Sequence, residues 1–226
     1  MKVTTKNVFN ELKSNVDRIK KVYITSNFKD KEILDFIKEK KIPYVQIDKH
    51  ALDKMERKNQ GILVEIKDYE YKNIKDIDTS EKKIIILDHL EDPHNFGAII
   101  RTCESAGIKS IIIPKDRSIH ITPTVLKVST GALEYVDVYE VTNLKNAIDF
   151  LKEKGYFIYG AEADGYDYDK INYSEKMALV IGSEGFGLSK IVRDNCDEIV
   201  KIPMKGHVNS LNASVSAGIL IYGIKN

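Results

Sequence analysis

The sequence has few cysteines, no long apolar runs and almost no net charge. Cys103 and Cys196 lie far apart, with no CxxC pair or Cys/His cluster, which indicates reduced thiols rather than a disulfide framework. No apolar run approaches the ~18–20 residues of a membrane-spanning helix. The first residues also lack the apolar core of a secretory signal. We therefore expect a soluble cytoplasmic protein with no membrane partner.

The near-zero net charge of +1 removes the simplest argument for binding nucleic acid. The distribution of charge is more informative. Residues 1–83 contain 20 Lys and Arg against 15 Asp and Glu, whereas residues 84–226 contain 15 against 19. A basic front half joined to a mildly acidic back half indicates two functions. The histidines lack the spacing of metal ligands, so we expect no metal site.

Hydrophobic periodicity divides the chain into two α/β domains. Short helical and extended patterns alternate up to residue 70, and a polar stretch follows. From Lys83 onward, near-continuous apolar runs such as IIIL and SIIIP alternate with helical patterns. Such runs are typical of a buried parallel sheet covered on both faces. We predict a small domain over 1–70, a linker over 71–82 and a larger domain over 83–226.

Three loops at the predicted strand ends, where ligands of open parallel sheets collect, have compositions that a simple connection does not need. The first runs from Asp88 to Thr102. There we expect Asn95 to cap a helix and Arg101, about 1.7 turns later, to face much the same side.

The second loop has the sequence VIGSEGFGL. Gly182 and Gly187 would let the backbone approach a ligand closely. The spacing is neither the dinucleotide fingerprint nor a P-loop, which disfavours a nucleotide-binding oxidoreductase. Glu184, among these glycines, could accept hydrogen bonds from Arg101 or from backbone amides at the next helix start.

The third loop leads from Ile202 into a terminal helix over 211–224. Ser210 is a plausible N-cap for that helix. Asn212 has poor helix propensity just inside it, which favours a role for its side chain. Small residues over 213–218 would allow another backbone to come close, within the chain or in a second subunit.

Together, the stretches DPHNFGAIIRT, VIGSEGFGL and IPMKGHVNSLNASVS resemble the three sequence motifs of the SpoU family of RNA 2′-O-ribose methyltransferases, in order and spacing. Residues 1–66, with Asn59-Gln60-Gly61 near their end, are similar to the L30e-like substrate-binding domain that often precedes that catalytic domain. The resemblance implies an α/β knot with a deep trefoil, S-adenosyl-L-methionine as cofactor, a homodimer, and rRNA or tRNA as substrate.

The resemblance also implies roles for particular residues. The catalytic positions correspond to Asn95, Arg101, Glu184, Ser210 and Asn212. The cofactor would lie against Gly182, Gly187, Ile202, Met204 and Leu211. The family's arginine is assigned proton removal, but a guanidinium is effectively always protonated. We therefore favour a role for Arg101 in binding the 2′-oxygen or a neighbouring phosphate and stabilising developing alkoxide character.

Three alternatives to an rRNA methyltransferase remain open: a tRNA methyltransferase, an RNA-binding factor without catalysis and a nucleotide-binding oxidoreductase. The two-domain layout most resembles the enzyme that acts on a guanosine of 23S rRNA, but a tRNA ribose methyltransferase would share the catalytic motifs. A ribosome-assembly factor that binds RNA without catalysis is a more distant possibility, against which the intact motif residues argue. Binding of S-adenosylmethionine or of NAD would separate the methyltransferases from an oxidoreductase.

Overall fold

The computed structural model describes residues 1–4, 6–208 and 210–224, which form two compact units. Unit 1 consists of Met1–Glu70 and Ile121–Glu134, and unit 2 of Tyr71–His120 and the described residues from Tyr135 onward. The predicted first domain ended at residue 70. Residues 121–134, which the prediction placed in the second domain, are grouped with the first unit.

The described residues contain ten strands and eight α-helices. The strands are β1 Lys2–Thr4, β2 Ile19–Thr25, β3 Tyr44–Ile47, β4 Ile62–Ile66, β5 Lys83–Asp88, β6 Ser110–Pro114, β7 Asp137–Val141, β8 Phe157–Asp167, β9 Met177–Gly182 and β10 Glu198–Lys201. The helices are α1 Lys6–Leu12, α2 Lys31–Glu39, α3 Lys49–Met55, α4 Pro93–Ser105, α5 Pro123–Ser129, α6 Leu144–Glu153, α7 Lys190–Asp194 and α8 Ala213–Gly223.

Unit 1 is built on a four-stranded mixed sheet in the order β1-β4-β2-β3. β4 is antiparallel to both of its neighbours, and β2 is parallel to β3. α2 is amphipathic and buries Ile33 and Ile37, spaced by one helical turn, while Asp30 caps its first turn by accepting from the Ile33 amide. α5, from the segment 121–134, buries Val125 and Leu126.

Unit 2 is built on a six-stranded sheet in the order β10-β8-β9-β5-β6-β7, with every adjacent pair parallel. The central strands β5, β6 and β9 are buried along almost their whole length, as their continuous apolar sequences require. The predicted α/β class is confirmed, with a mainly parallel sheet and a smaller front α/β domain.

Helix α8 packs against α4 and β9 within the same unit. Ala217 on this helix is fully buried in the chain itself, as is nearly all of Ala213. The small side chain of Ala217 therefore accounts for a close contact within the chain. Of the two uses left open for the small residues over 213–218, Ala217 serves the contact within the chain, since no surface of its side chain is left for a second chain.

Two helix starts differ from the prediction. Asp92, not Asn95, caps α4 by accepting from the Asn95 amide, so Asn95 lies inside the first turn. Asn212, not Ser210, caps α8 by accepting from the amides of Ser214 and Val215. Short polar side chains close to a boundary compete for the cap position, and the backbone path of the loop decides between them. None of the helices in the described residues has the length and apolar character of a bilayer span.

Candidate functional site

The first two motif loops leave the sheet side by side. β5 and β9 are adjacent and parallel, and their last residues, Asp88 and Gly182, are register partners. The loop before α4 and the glycine-containing loop after β9 therefore begin at the same edge of the sheet. This is the carboxyl edge, where ligands of open α/β sheets bind.

A polar cluster joins all three motif loops through one carboxylate. The Oε1 atom of Glu184 accepts a hydrogen bond from Asn95 Nδ2 and a second, of 2.9 Å, from Asn212 Nδ2. Asn95 is only 7% exposed, so its amide needs this partner. Within the described ranges, Glu184 thus bonds to the two asparagines, and not to Arg101 or to backbone amides at the next helix start as the sequence had suggested.

Asn212 uses both ends of its amide group. Its oxygen accepts from the backbone N–H groups of Ser214 at 3.0 Å and Val215 at 3.3 Å, and from the Ser214 hydroxyl at 2.6 Å. Its nitrogen donates to Glu184. Since an amide oxygen only accepts and an amide nitrogen only donates, this pattern fixes the side chain in one orientation. The start of α8 is thereby tied to the loop after β9.

The loop after β9 turns back on itself tightly. Ser183 and Gly187 exchange two backbone hydrogen bonds, of 3.1 and 3.0 Å. A Cβ atom at Gly182 would lie 2.2–2.6 Å from main-chain atoms of Gly187 and Leu188, so only glycine fits there. Gly187 has φ +67 and lies against the Glu162 carboxylate, which accepts from the Leu188 amide at 2.5 Å. Glu184 is held in the bend of this turn.

Asp88 is a structural member of the site that the sequence reasoning missed. Its carboxylate is 1% exposed, accepts from the Ser189 amide at 2.6 Å and contacts His89 Nδ1 at 2.5 Å. It links the end of β5 to the residue that precedes α7. The available signal was its position, since it is the charged residue that ends the apolar strand KIIILD.

A cavity of about 730 Å³ opens between the first two loops. Its walls include the Asp88–His89 pair, Arg117 and Glu184. Phe186, at the tip of the glycine-containing loop, is 93% exposed beside it. An exposed aromatic ring with carboxylates and a guanidinium around one opening can contact a polar, planar ligand.

The sequence matches two families in succession. Residues 82–222 match the SpoU rRNA methylase family, and residues 6–72 match the RNA 2′-O ribose methyltransferase substrate-binding domain. A Staphylococcus haemolyticus protein assigned to the TrmH family of tRNA/rRNA methyltransferases is 44% identical over 217 residues, which cover 91% of this chain and 87% of that protein. The chain belongs to the SpoU methylase family.

Solved structures share the fold over nearly the whole chain. The SpoU methyltransferase AviRb from Streptomyces viridochromogenes, in complex with the cofactor AdoMet, has a TM-score of 0.85 at 18% identity, over 99% of this chain and 88% of that one. An AdoMet-bound rRNA methyltransferase from Sinorhizobium meliloti has a TM-score of 0.83 at 21% identity, over 98% and 85% of the two chains. These likenesses establish the fold of this SpoU-family protein, an RNA methyltransferase of the TrmH/SpoU type.

The catalytic residues predicted for this SpoU-family chain are only partly brought together. Asn95, Glu184 and Asn212 form the cluster described above. Arg101 is exposed on α4, and among the described residues its guanidinium has no hydrogen-bond or ion-pair partner. Six residues turn a helix by about 600°, which leaves Arg101 about 120° from Asn95. The expectation that the two face the same side is therefore wrong.

The remaining predicted residues of the SpoU motifs lie in two places. Gly182 and Gly187 belong to the tight turn, and Gly187 lines the 730 Å³ cavity. Ile202, Met204, Ser210 and Leu211 lie between β10 and α8, in a segment whose described residues belong to no helix or strand. Ile202 is half-buried, and the other three are exposed.

The titratable side chains of unit 2 do not suggest metal or thiol chemistry. In the described ranges no three His, Cys, Asp or Glu side chains group as metal ligands would. Burial raises the pKa of Cys103, and burial also raises that of Cys196 to about 12. Both thiols therefore stay protonated at neutral pH, and a protonated thiol is a poor nucleophile.

Proposed function

We propose that this protein transfers a methyl group from S-adenosylmethionine to a ribose 2′-hydroxyl of RNA, with a guanosine of 23S rRNA as its substrate. The observation that carries the proposal is the Asn95–Glu184–Asn212 cluster, which joins one residue from each SpoU motif through a single carboxylate. An RNA substrate is supported by the match of residues 6–72 to a substrate-binding domain. The proposal places the protein in the cytoplasm, with its RNA.

The second and third motif loops have the chemistry that an adenosyl group needs. The residues proposed to hold the cofactor are Gly182, Gly187, Ile202, Met204 and Leu211. Met204 and Leu211 expose apolar side chains, and main-chain groups over 202–208 belong to no helix or strand. Apolar side chains can cover the faces of an adenine ring while main-chain groups bond to its edge. When bound, the cofactor supplies the electrophilic methyl group.

The protein's own task is to place the 2′-oxygen in line with that methyl group and to accommodate the charge that develops on it. Arg101 presents a permanently charged guanidinium that has no partner in the part of the chain the structure describes. We assign it to the 2′-oxygen or an adjacent phosphate, where it stabilises the developing alkoxide. The proton leaves to solvent or to an RNA phosphate. Asn95, Glu184 and Asn212 hold the three loops in position, and the exposed Ser210 contacts the substrate.

The protein is further proposed to act as a homodimer. With Ala217 buried inside the chain, the exposed apolar residues of α8 are Val215, 50% exposed, and Tyr222, 61% exposed. Exposed apolar side chains on a helix whose other face is buried are typical of a subunit contact. The topology proposed for unit 2 is the deep trefoil knot of the family, formed by the C-terminal segment.

A tRNA substrate is the second candidate, supported by the assignment of the Staphylococcus haemolyticus relative to tRNA/rRNA methyltransferases. Mapping 2′-O-methylation across total RNA from a deletion strain distinguishes the candidates. We expect one 23S rRNA guanosine to lose its methyl group. Loss at a tRNA position would favour the second candidate, and an unchanged map together with no S-adenosylmethionine binding by calorimetry would indicate a factor without catalysis.

A further inference from the structure

The cavity of about 730 Å³ between the first two motif loops, here called the loop cavity, lies wholly within unit 2. The described residues that line it are 88–93 at the end of β5, Arg117 after β6, and 183–189 after β9. No described residue of the third motif loop lines it. Since the cofactor is proposed to lie against the second and third loops, the loop cavity is open to a different ligand.

The charge of the loop cavity suits an uncharged polar ring better than a phosphate. Four carboxylates line it, those of Asp88, Glu91, Asp92 and Glu184. Among the described lining residues, Arg117 alone carries a permanent positive charge. A negative excess of this kind disfavours a phosphate group. The base of a nucleotide, which is neutral and has donors and acceptors on its edges, therefore fits the cavity better than the backbone of the same nucleotide.

Glu91 is the lining carboxylate whose two oxygens are both free in the described part of the chain. Both oxygens of Asp88 already have partners. Asp92 uses one oxygen to cap α4, and Glu184 binds two asparagine amides with one oxygen. Glu91 is exposed, and within the described ranges it forms no hydrogen bond or ion pair. A carboxylate with two free oxygens can accept from two adjacent donors.

Arg117 is held at the cavity wall by the neighbouring loop. The next two residues, Ser118 and Ile119, both donate to the carbonyl of Leu90, the hydroxyl at 3.3 Å and the amide at 2.7 Å. Arg117 itself has φ +50, a left-handed conformation that costs energy in a residue other than glycine and persists where the surrounding structure holds it. Its guanidinium is exposed and has no partner among the described residues. Such a planar fork of donors can bind two adjacent acceptors at once.

Phe186 offers a flat apolar face at the same cavity. Its side chain is 93% exposed, between Gly185 with φ +85 and Gly187 with φ +67. The two backbone hydrogen bonds between Ser183 and Gly187 close the turn that carries it. An aromatic ring presented on a closed turn, outside any core, is a surface on which a planar ring can stack.

We propose that the loop cavity receives the base of the target nucleotide and that Phe186, Arg117 and Glu91 select guanine. The inference rests on the proposed function for the presence of an RNA substrate. Specific RNA recognition uses unstacked bases that lie on aromatic rings and are hydrogen-bonded at their edges. Arg117 matches the two acceptors O6 and N7 of guanine, and Glu91 matches the two donors N1–H and N2–H. Adenine has a donor in place of O6 and an acceptor in place of N1–H, so it matches neither residue fully.

The absence of tryptophan from the chain provides the test, because Phe186→Trp introduces a single indole whose fluorescence a stacked base quenches. Binding of the trinucleotides UGU, UAU and UIU to the full-length variant is measured by this quenching, with S-adenosylhomocysteine present. We expect UGU to bind at least about fivefold more tightly than UAU, as one bidentate pair discriminates by this factor or more. UIU, which lacks the N2 amino group, should lie between them. Equal affinities, or no quenching by any of the three, would overturn the proposal.

Two matched variants separate the cavity from the surface around it. In the Phe186→Trp protein, Arg117→Gln should remove the preference for UGU over UAU. Lys115→Gln should keep it, since Lys115 is an exposed cation of the same loop that does not line the cavity. Tyr166→Trp is the fluorescence control, because Tyr166 is 66% exposed on β8 and does not line the cavity either. Equal loss of preference in the Arg117 and Lys115 variants, or equal quenching of the Tyr166→Trp protein, would contradict the proposal.

The affinity of the Arg117→Gln protein for S-adenosylmethionine should equal that of wild type in calorimetry, and a large loss would show that the cavity holds the cofactor instead. A failure of the proposed function reads differently. If wild-type protein methylates no RNA but the Phe186→Trp protein still prefers UGU, the proposed function fails and the assignment of the cavity stands. If a guanosine is methylated while the three trinucleotides bind equally, the assignment fails and the function stands.

Discussion

At the scale of single residues, Asn212 both caps a helix and bonds to a carboxylate from another motif, and these roles can be separated. Asn212→Ala should lower the free energy of unfolding by about 0.5–2 kcal/mol, as cap removal does. It should also lower turnover, because Glu184 loses one of its two partners. Asn143→Ala is the matched control, since Asn143 caps α6 by accepting from the Asn146 amide. We expect a similar loss of stability there with normal turnover, measured by denaturant unfolding and methyl transfer. Equal turnover in the two variants would contradict the role of Asn212.

Arg101 is the residue proposed to meet the reacting oxygen. Arg101→Ala should lower turnover by ~10²–10³, the range for losing one positioned donor to a developing oxyanion. Affinity for S-adenosylmethionine should change only a few-fold. Arg101→Lys should recover part of the rate, because a point charge does not reproduce the planar fork of guanidinium. Rates are measured at saturating RNA and cofactor, with Glu104→Ala on the same helix as control. Near-normal turnover in a folded Arg101→Ala protein would refute the assignment.

Glu11 makes stability depend on pH. Burial and the nearby Glu134 raise its pKa in the folded protein to about 7, from an ordinary value of 4.5. The folded state therefore favours the protonated carboxyl, and the stability associated with it is lost as pH rises from about 4.5 through about 7. Glu11→Gln removes this titration. The variant should therefore be more stable relative to wild type at pH 8.5 than at pH 5, as measured by the free energy of unfolding in denaturant. Parallel pH dependence of the two proteins would show that Glu11 is not perturbed.

At the scale of elements, the turn after β9 depends on the absence of a side chain at Gly182. Gly182→Ala would force a Cβ to within 2.2–2.6 Å of main-chain atoms. Overpacking of this kind typically costs ~1–3 kcal/mol of stability, and the shifted turn should weaken S-adenosylmethionine binding in calorimetry. Gly218→Ala in α8 is the control, since no atom lies within 4 Å of its Cβ position. It should leave binding intact and raise stability by up to ~1 kcal/mol. A Gly182→Ala protein that binds the cofactor normally would place that site elsewhere.

The elements most predictable from sequence are those whose own residues are apolar enough to require burial, whatever their neighbours are. β6 was predicted at Ser110–Pro114, where it is found, because a continuous apolar run has no other stable environment. The apolar run YFIYGA predicts a strand over 156–161, whereas β8 continues to Asp167 through polar residues. That extension pairs with β10 across a register shift between Ile199 and Val200. The extension of β8 forms because β10, which is distant in the sequence, pairs with it. No local sequence pattern encodes that pairing.

The same limit applies to the site. Glu184 could be selected from its position among glycines, since a carboxylate there has little to pack against. Its partners could not be identified, because Asn95 and Asn212 reach it only through the tertiary path of three loops. Asp88 and Glu162 were missed for a related reason. Each acts by accepting a backbone amide from a distant segment, at Ser189 and Leu188 respectively.

At the scale of the whole molecule, the proposed dimer depends on the exposed apolar side of α8. Val215→Lys combined with Tyr222→Lys should shift sedimentation toward the monomer, because two charges would be desolvated in the contact. Ile191→Lys is the control, since Ile191 is an exposed apolar residue on α7 instead. Unchanged sedimentation of the α8 variant would rule out this face as the interface, and a change in the control alone would point to α7.

The division into units also changes how the protein can be dissected. A chain starting at Lys82 would keep residues 121–134 but lose the rest of unit 1. Val125, Leu126 and Leu133 are buried in the intact protein and would be exposed in that fragment. Exposed apolar surface of this kind promotes association, so point variants in the full chain test the roles of the units more cleanly than truncation.

Unit 1 is built from two separate segments of the chain, and this affects how it folds during synthesis. A ribosome adds roughly 5–20 residues per second, and domains of a growing chain generally fold from the N-terminus as they emerge. The four strands of the first sheet are complete once Ile66 has emerged, but α5 follows only at Pro123–Ser129. β5, α4 and β6 are translated in between. The first unit therefore remains unfinished while the second has begun, and a nascent-chain folding intermediate with an exposed site for α5 should persist for several seconds.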